Sequence, residues 1–239
     1  MSGEPDAPIG PAPIDAGSAD AEPRARAGQA VRDIGHALIG REASPALLDE
    51  VATTLQSLVE RLDAGGPRRS RYREPRDMRW LAPKAEGELL NTYDERPFSG
   101  RSSPWGLDFE VHRRGDEIEA LVTLRAAHEG APARAHGGIV AGLFDDVFGY
   151  VLDVAQEAAF TGELTVRYER PTPLHRPLAC RGRLDRRDGR KLHIIGELVD
   201  LETAGHLVVA RAHGLFIAVD PKVFDLATQQ LPAPPDEGR

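Results

Sequence analysis

A single cysteine, Cys180, is all the thiol chemistry in this 239-residue chain. No internal disulfide and no cysteine-based metal site can form, and a reducing cytoplasm is the expected setting. Positive charge is also short: 30 Lys and Arg against 38 Asp and Glu leave a formal net charge of -8, which argues against generic nucleic-acid binding. No apolar run reaches membrane-spanning length, and the Pro-, Ala- and Asp-rich start lacks a basic segment followed by an apolar one, so neither membrane insertion nor export is expected. His128, His175, His193, His206 and His213 show no metal-ligand spacing, and no metal is expected. No internal repeat is present. The apolar fraction of 41% suffices for one domain with a sizeable core plus extensions.

The first 22 residues mix Pro, Gly, Ala, Ser and Asp without periodicity and are expected to be disordered. A weak helical pattern follows around Val31 to Ile39. Ser44-Pro45 then offers a cap and a first helical residue to a stretch carrying Leu48, Val51, Leu55, Leu58, Val59 and Leu62, stopped by Gly65-Gly66-Pro67. From Arg68 to Arg79 runs an arginine cluster around Tyr72 and Trp80, read as a solvated linker. Strand patterns come after Pro97: Leu107 to Arg113, Glu117 to Arg125, Glu163 to Arg170, Leu178 to Arg186, Lys191 to Asp200 and His206 to Val219, with turns at Asp188-Gly189 and at Gly205. The expected organisation is a tail and helical extension over 1–96, an α+β domain over 97–220, and a frayed tail over 221–239.

Chemistry concentrates between His136 and Pro173. Val140, Leu143, Phe144, Val147, Phe148, Val151 and Val154 recur at helical spacing and give a broad apolar face. Gly138, Ala141, Gly142, Asp145 and Gly149 form a stripe of small residues with one acid in it, which lets something approach the backbone closely. A helix apolar on most sides is wrapped by other structure, so Asp145 is expected to be partly desolvated and in need of a partner or a use. Asp146, about 100° round the helix, is the lesser candidate and reads as a solvent-facing or interface ion pair. The N–H groups at Gly137 and Gly138 lack intrahelical acceptors and form an anion cradle. Cys180, with no helix terminus to lower its pKa, reads as buried and structural.

The His136-Gly137-Gly138 opening, Asp145 within the helix, Thr161 at the next strand and Tyr168-Glu169-Arg170-Pro171-Thr172-Pro173-Leu174 at its end fall in register in one run. The chain from about Pro97 to Val219 thereby resembles the hotdog-fold acyl-CoA thioesterases of the PaaI type, in the 4-hydroxybenzoyl-CoA thioesterase superfamily. The resemblance implies an antiparallel sheet wrapped around one long helix. It also implies that the Gly137 N–H polarises the thioester carbonyl, that Asp145 is base or nucleophile, and that Thr161 places the attacking water. His136 is expected to orient the Gly137 peptide, Gly138 to line the substrate, and Arg190 and Lys191 to reach a CoA phosphate. The arginines between Arg68 and Arg79 offer a second place for such phosphates. One feature departs from the pattern: His128-Glu129-Gly130-Ala131-Pro132 has no asparagine, which many members carry shortly before the histidine.

No cofactor is expected, because a thioester is already activated and CoA arrives as part of the substrate. Two other functions compete: a non-catalytic acyl-CoA sensor on the same scaffold, and an enoyl-CoA hydratase. The hydratase would pair Asp and His within one helical turn, and His136 and Asp145 are too far apart. Gly137 and Asp145 are themselves separated by about 12 Å along one helix, so a shared site in a homodimer or dimer of dimers is expected.

Overall fold

The computed structural model describes residues 20–65, 85–90 and 94–220. Most of the expected N-terminal tail, the Arg68 to Arg79 cluster and the C-terminal tail lie outside them. Two helices, α1 (Ala21–Gly40) and α2 (Pro45–Asp63), precede strands β1 (Phe109–Arg114) and β2 (Glu117–Thr123). Helix α3 (Gly137–Ala155) follows, and then β3 (Ala159–Tyr168), β4 (Pro177–Asp188), β5 (Lys191–Asp200) and β6 (Leu207–Ala218). The six strands form one antiparallel sheet in the order β1-β2-β4-β5-β6-β3, with β3 at an edge. This is the expected α+β arrangement of a sheet curled around a helix. Among the described residues, no helix is long and apolar enough to cross a membrane.

Helix α3 is a poor helix former by propensity, with four glycines and several β-branched residues, so packing must hold it. Val140, Leu143, Phe144, Val147, Phe148 and Val151 are buried against Ile118, Ala120, Leu178, Cys180, Leu192, Ile194, Leu198, Ala210 and Phe216 of the sheet. Phe148 makes the deepest contact. Its ring lies over Gly182, Gly196 and Gly214 on the adjacent strands β4, β5 and β6, where an added Cβ would come within 3.2, 2.7 and 2.9 Å of ring carbons. These strand glycines exist to admit the ring.

A strap over residues 94–107 crosses the other side of α3, and the small-residue stripe is its bed. Phe98 sits directly on Gly142, and the Arg96 guanidinium lies on Gly149. The same guanidinium stacks 4.4 Å from the Tyr150 ring centroid, and the Tyr150 hydroxyl donates to Ser99 Oγ at 2.9 Å. Helix α1 in turn rests on the strap. Arg32 donates to the Ser103 carbonyl at 2.6 Å and to Asp108 at 3.0 Å, and Gly28 packs against the Ser102 backbone.

Helix α1 starts at Ala21, ten residues before the expected Val31. Its buried stripe is Ala25, Gly28, Arg32 and His36, small and polar residues that carry no hydrophobic signal. Helix α2 does begin as expected, with Ser44 Oγ accepting from the Leu47 N–H at 3.3 Å and Pro45 in the first turn.

Docking of α1 leaves two neutral imidazoles edge to face, His36 and His128, with centroids 4.6 Å apart. His36 Nδ1 accepts from the Ala127 N–H and His128 Nδ1 from the Arg125 N–H, both at 3.0 Å. Burial, with repulsion from the Arg125 charge and from His36 whenever that ring is protonated, pushes His128 down to about 4, and burial likewise lowers His36. The unfolded chain therefore binds these protons first, so the pair's contribution is complete above pH 6.5 and is lost as pH falls from there toward about 4. Thermal melts at stepped pH should show midpoints falling across that window, with a shallower fall in His128→Gln; identical slopes in both proteins would contradict this.

Candidate active site

The first turn of α3 has a strict hydrogen-bond allocation. His136 is the N-cap, and its Nδ1 accepts from the Gly138 N–H at 3.0 Å. The His136 carbonyl takes the N–H groups of Ile139 and Val140 at 3.0 and 3.3 Å. The Gly137 N–H is left without an acceptor among the described residues, while the Gly137 carbonyl accepts from the Tyr168 hydroxyl at 2.8 Å. One donor therefore stays unallocated at the positive end of the helix. Because His136 Nδ1 is an acceptor, its ring proton resides on Nε2. His136 holds the Gly137–Gly138 peptide, and Gly138 has no N–H left to offer a ligand.

Two helical turns on, the Thr161 hydroxyl donates to Asp145 Oδ1 at 2.9 Å. A β-bulge between Thr161 and Glu163 interrupts the pairing of β3 with β6 at this point, and such a bulge re-aims the side chain next to it. The sequence-derived pair Asp145 and Thr161 is thus in contact. Gly137 lies on the same helix about 12 Å away by helical rise, and His136 adjoins it.

Two expectations about the acids are reversed. Asp145 is exposed in the single chain, whereas Asp146 is 8% exposed and bound to Arg96 Nε at 3.0 Å. The cause is rotational. The seating of α3 turns Asp145 toward β3, the last strand of the sheet among the described residues, and turns Asp146 under the strap. Asp146 Oδ2 is buried with no hydrogen-bond partner, so among the described residues the balancing charge of this carboxylate is Arg96. Arg96 had no sequence signal of its own beyond its position in the strap.

Arg190 and Lys191 are exposed at the β4–β5 hairpin tip, with Arg190 Nε donating to the Ala218 carbonyl at 3.0 Å. Lys191 and Phe160 both pair with Ile217, which puts the tip two strand spacings, roughly 10 Å, from the start of β3. Cys180 is fully buried and its thiol pKa is pushed up by desolvation. Among the described residues, no group of three or more His, Cys, Asp or Glu could hold a metal ion.

Two concavities among the described residues lie elsewhere. One of about 650 Å³ lies between α1, the strap and β2, lined by Arg26, Arg32, Arg101 and Leu121 among others. The other, about 580 Å³, is lined by His36, Arg125, Glu129 and His175 among others. Neither touches Gly137, Asp145 or Thr161. The candidate site lies beside β3, which ends the strand order among the described residues.

No family model matches the chain. Acyl-coenzyme A thioesterase THEM4 of Bos taurus is 26% identical over 167 residues, 68% of this chain and 68% of that protein. The Mus musculus THEM4 is 28% identical over 126 residues, and the match spans about half of each protein, 51% and 54%. Among solved structures, the crystal structure of a thioesterase superfamily protein superposes with a TM-score of 0.68 at 29% identity, covering 86% of this chain and 93% of that one.

The split between the acids predicts a split in mutant behaviour. Arg96→Ala leaves Asp146 buried and uncompensated and should cost about 3 kcal/mol or more, read by urea unfolding. Asp145→Asn should leave the urea midpoint nearly unchanged. Equal stability losses would refute the assignment of Asp146 as the structural acid.

Proposed function

We propose that this chain, a homologue of the acyl-coenzyme A thioesterases with the hotdog fold of the thioesterase superfamily, hydrolyses an acyl-CoA thioester to the free acid and CoA. The observation that carries the proposal is the Thr161–Asp145 hydrogen bond on one helix face, with the unallocated Gly137 N–H on the same helix. Thr161 occupies Asp145 Oδ1, so Oδ2 is the oxygen free to take a proton from water. The resulting hydroxide attacks the thioester carbonyl carbon, and the Gly137 N–H receives the developing oxyanion. Collapse breaks the C–S bond, and the CoA thiolate recovers the proton from Asp145. His136 holds the donor peptide in place, and CoA enters as part of the substrate.

One carbonyl cannot meet a donor and a base about 12 Å apart on one helix. The site is completed by a second copy. The ten-residue β3 has no strand on its outer rim among the described residues, and an open edge of that length is a ready interface. Two-fold pairing along β3 brings Asp145 of each subunit toward Gly137 of the other and closes both open faces, giving a homodimer or a dimer of dimers with shared sites. The same closure would desolvate Asp145. Arg190 and Lys191, at the far end of β4 and β5, are the proposed contacts for a CoA phosphate. The single thiol fits a reducing cytoplasm.

Thiol release from short-chain, long-chain and aromatic acyl-CoAs tests the proposal. Wild-type protein should hydrolyse at least one class, and Asp145→Ala should lower kcat by on the order of 10² or more while keeping the wild-type melting temperature. Near-wild-type turnover by Asp145→Ala would reject Asp145 as the base.

A further inference from the structure

The peptide between Gly137 and Gly138 is held at both ends by side chains. His136 Nδ1 takes its N–H at 3.0 Å, and the Tyr168 hydroxyl donates to its carbonyl oxygen at 2.8 Å. The upstream side is anchored too, by the His136 N–H donating to the His128 carbonyl at 2.8 Å. The His136–Gly137 peptide, which carries the free N–H, is held at its own carbonyl by the Ile139 and Val140 N–H groups, and its N–H end leads directly into Gly137, whose carbonyl Tyr168 holds. That glycine cannot fix its own dihedrals, since it lacks the Cβ that narrows φ and ψ. A Cβ on Gly137 would lie close to this tyrosine, 3.2 Å from Tyr168 Cζ and from its hydroxyl.

We infer that Tyr168 is a positioning residue for the reaction: its hydroxyl locks the Gly137 carbonyl and so aims the Gly137 N–H at the oxyanion. The inference rests on the reading of Gly137 as the oxyanion donor. Tyr168 is not itself a donor to substrate, because its one hydroxyl proton is committed to the Gly137 carbonyl. Nor is it a core residue: its side chain is half exposed at the end of an edge strand, at 51%. Removing the hydroxyl alone thus takes little from packing. What it releases is the angular freedom of one glycine at the place where a donor must be aimed to within 10–20° or so.

Tyr168→Phe tests this, with two non-cleavable ligands as probes. A 2-oxoalkyl-CoA keeps a carbonyl but has no thioester bond, and an S-alkyl-CoA has no carbonyl at all. The variant should bind the 2-oxoalkyl-CoA about tenfold more weakly and the S-alkyl-CoA as wild type does. Its kcat/KM should fall about tenfold with melting temperature and pH profile unchanged. A purely structural tyrosine would instead lower the melting temperature and weaken both ligands together, and that result overturns the inference, as does wild-type binding of both ligands. Asp145→Ala, assayed alongside, separates the two levels: if it retains turnover, the proposed reaction fails, whatever Tyr168 does. Amide hydrogen exchange then still decides Tyr168, because loss of the hydroxyl should speed exchange at Gly138 severalfold. An unchanged rate would overturn the inference without any reference to activity.

Discussion

Everything at the candidate site depends on how one aromatic ring meets the sheet. Phe148 lies in a saddle made by Gly182, Gly196 and Gly214 on three neighbouring strands, and full burial of such a ring is worth about 3 kcal/mol. Its larger consequence is geometric. A ring that fits between backbones at one place fixes both the rotation of α3 and its position along the sheet. With that rotation set, positions 145 and 146 diverge by about 100°. One acid meets Thr161 at the edge of the sheet and the other goes under Arg96.

The two sides of α3 divide the work. On one side the strap is a stack of locked contacts: Arg96 between Asp146 and Tyr150, Phe98 on Gly142, and Arg32 of α1 against the strap backbone from above. A carboxylate buried there needs its cation, and removing the cation is costly. On the other side, Thr161 and Tyr168 of β3 reach α3 at Asp145 and at Gly137. These contacts are exposed in the single chain and inexpensive in stability.

Alternation made the sheet legible in the sequence. Strand β5 runs over Lys191–Asp200 as expected, and β4 and β6 begin and end within two residues of their expected limits. Strand β3 starts at Ala159 and not Glu163, because Gly162 lies in the bulge and breaks the two-residue pattern. Helix α1 was half hidden for a different reason: a buried stripe of Ala25, Gly28, Arg32 and His36 does not register as hydrophobic. The pairing of Asp145 with Thr161 was readable from the resemblance alone, since residues 16 positions apart on different elements leave no periodic trace. Arg96 and Tyr168 stood in plain view without roles. Each acts through a contact that only the fold creates, one with a helix acid 50 residues later and one with a backbone carbonyl 31 residues earlier.

The central claim is that donor and base reach one thioester from different subunits, and complementation between damaged subunits tests it most directly. Gly137→Pro removes the N–H at a first helical position, and His136 already holds φ −66° and ψ 135°, which a following proline accepts. Mixed after co-unfolding with Asp145→Ala subunits, half the dimers should be mixed, each with one intact site and one doubly damaged site. Each mixed dimer should therefore carry about half of wild-type activity, and the mixture about a quarter, from two parents that are each nearly inactive. Verified mixed dimers with no recovered activity would contradict the account.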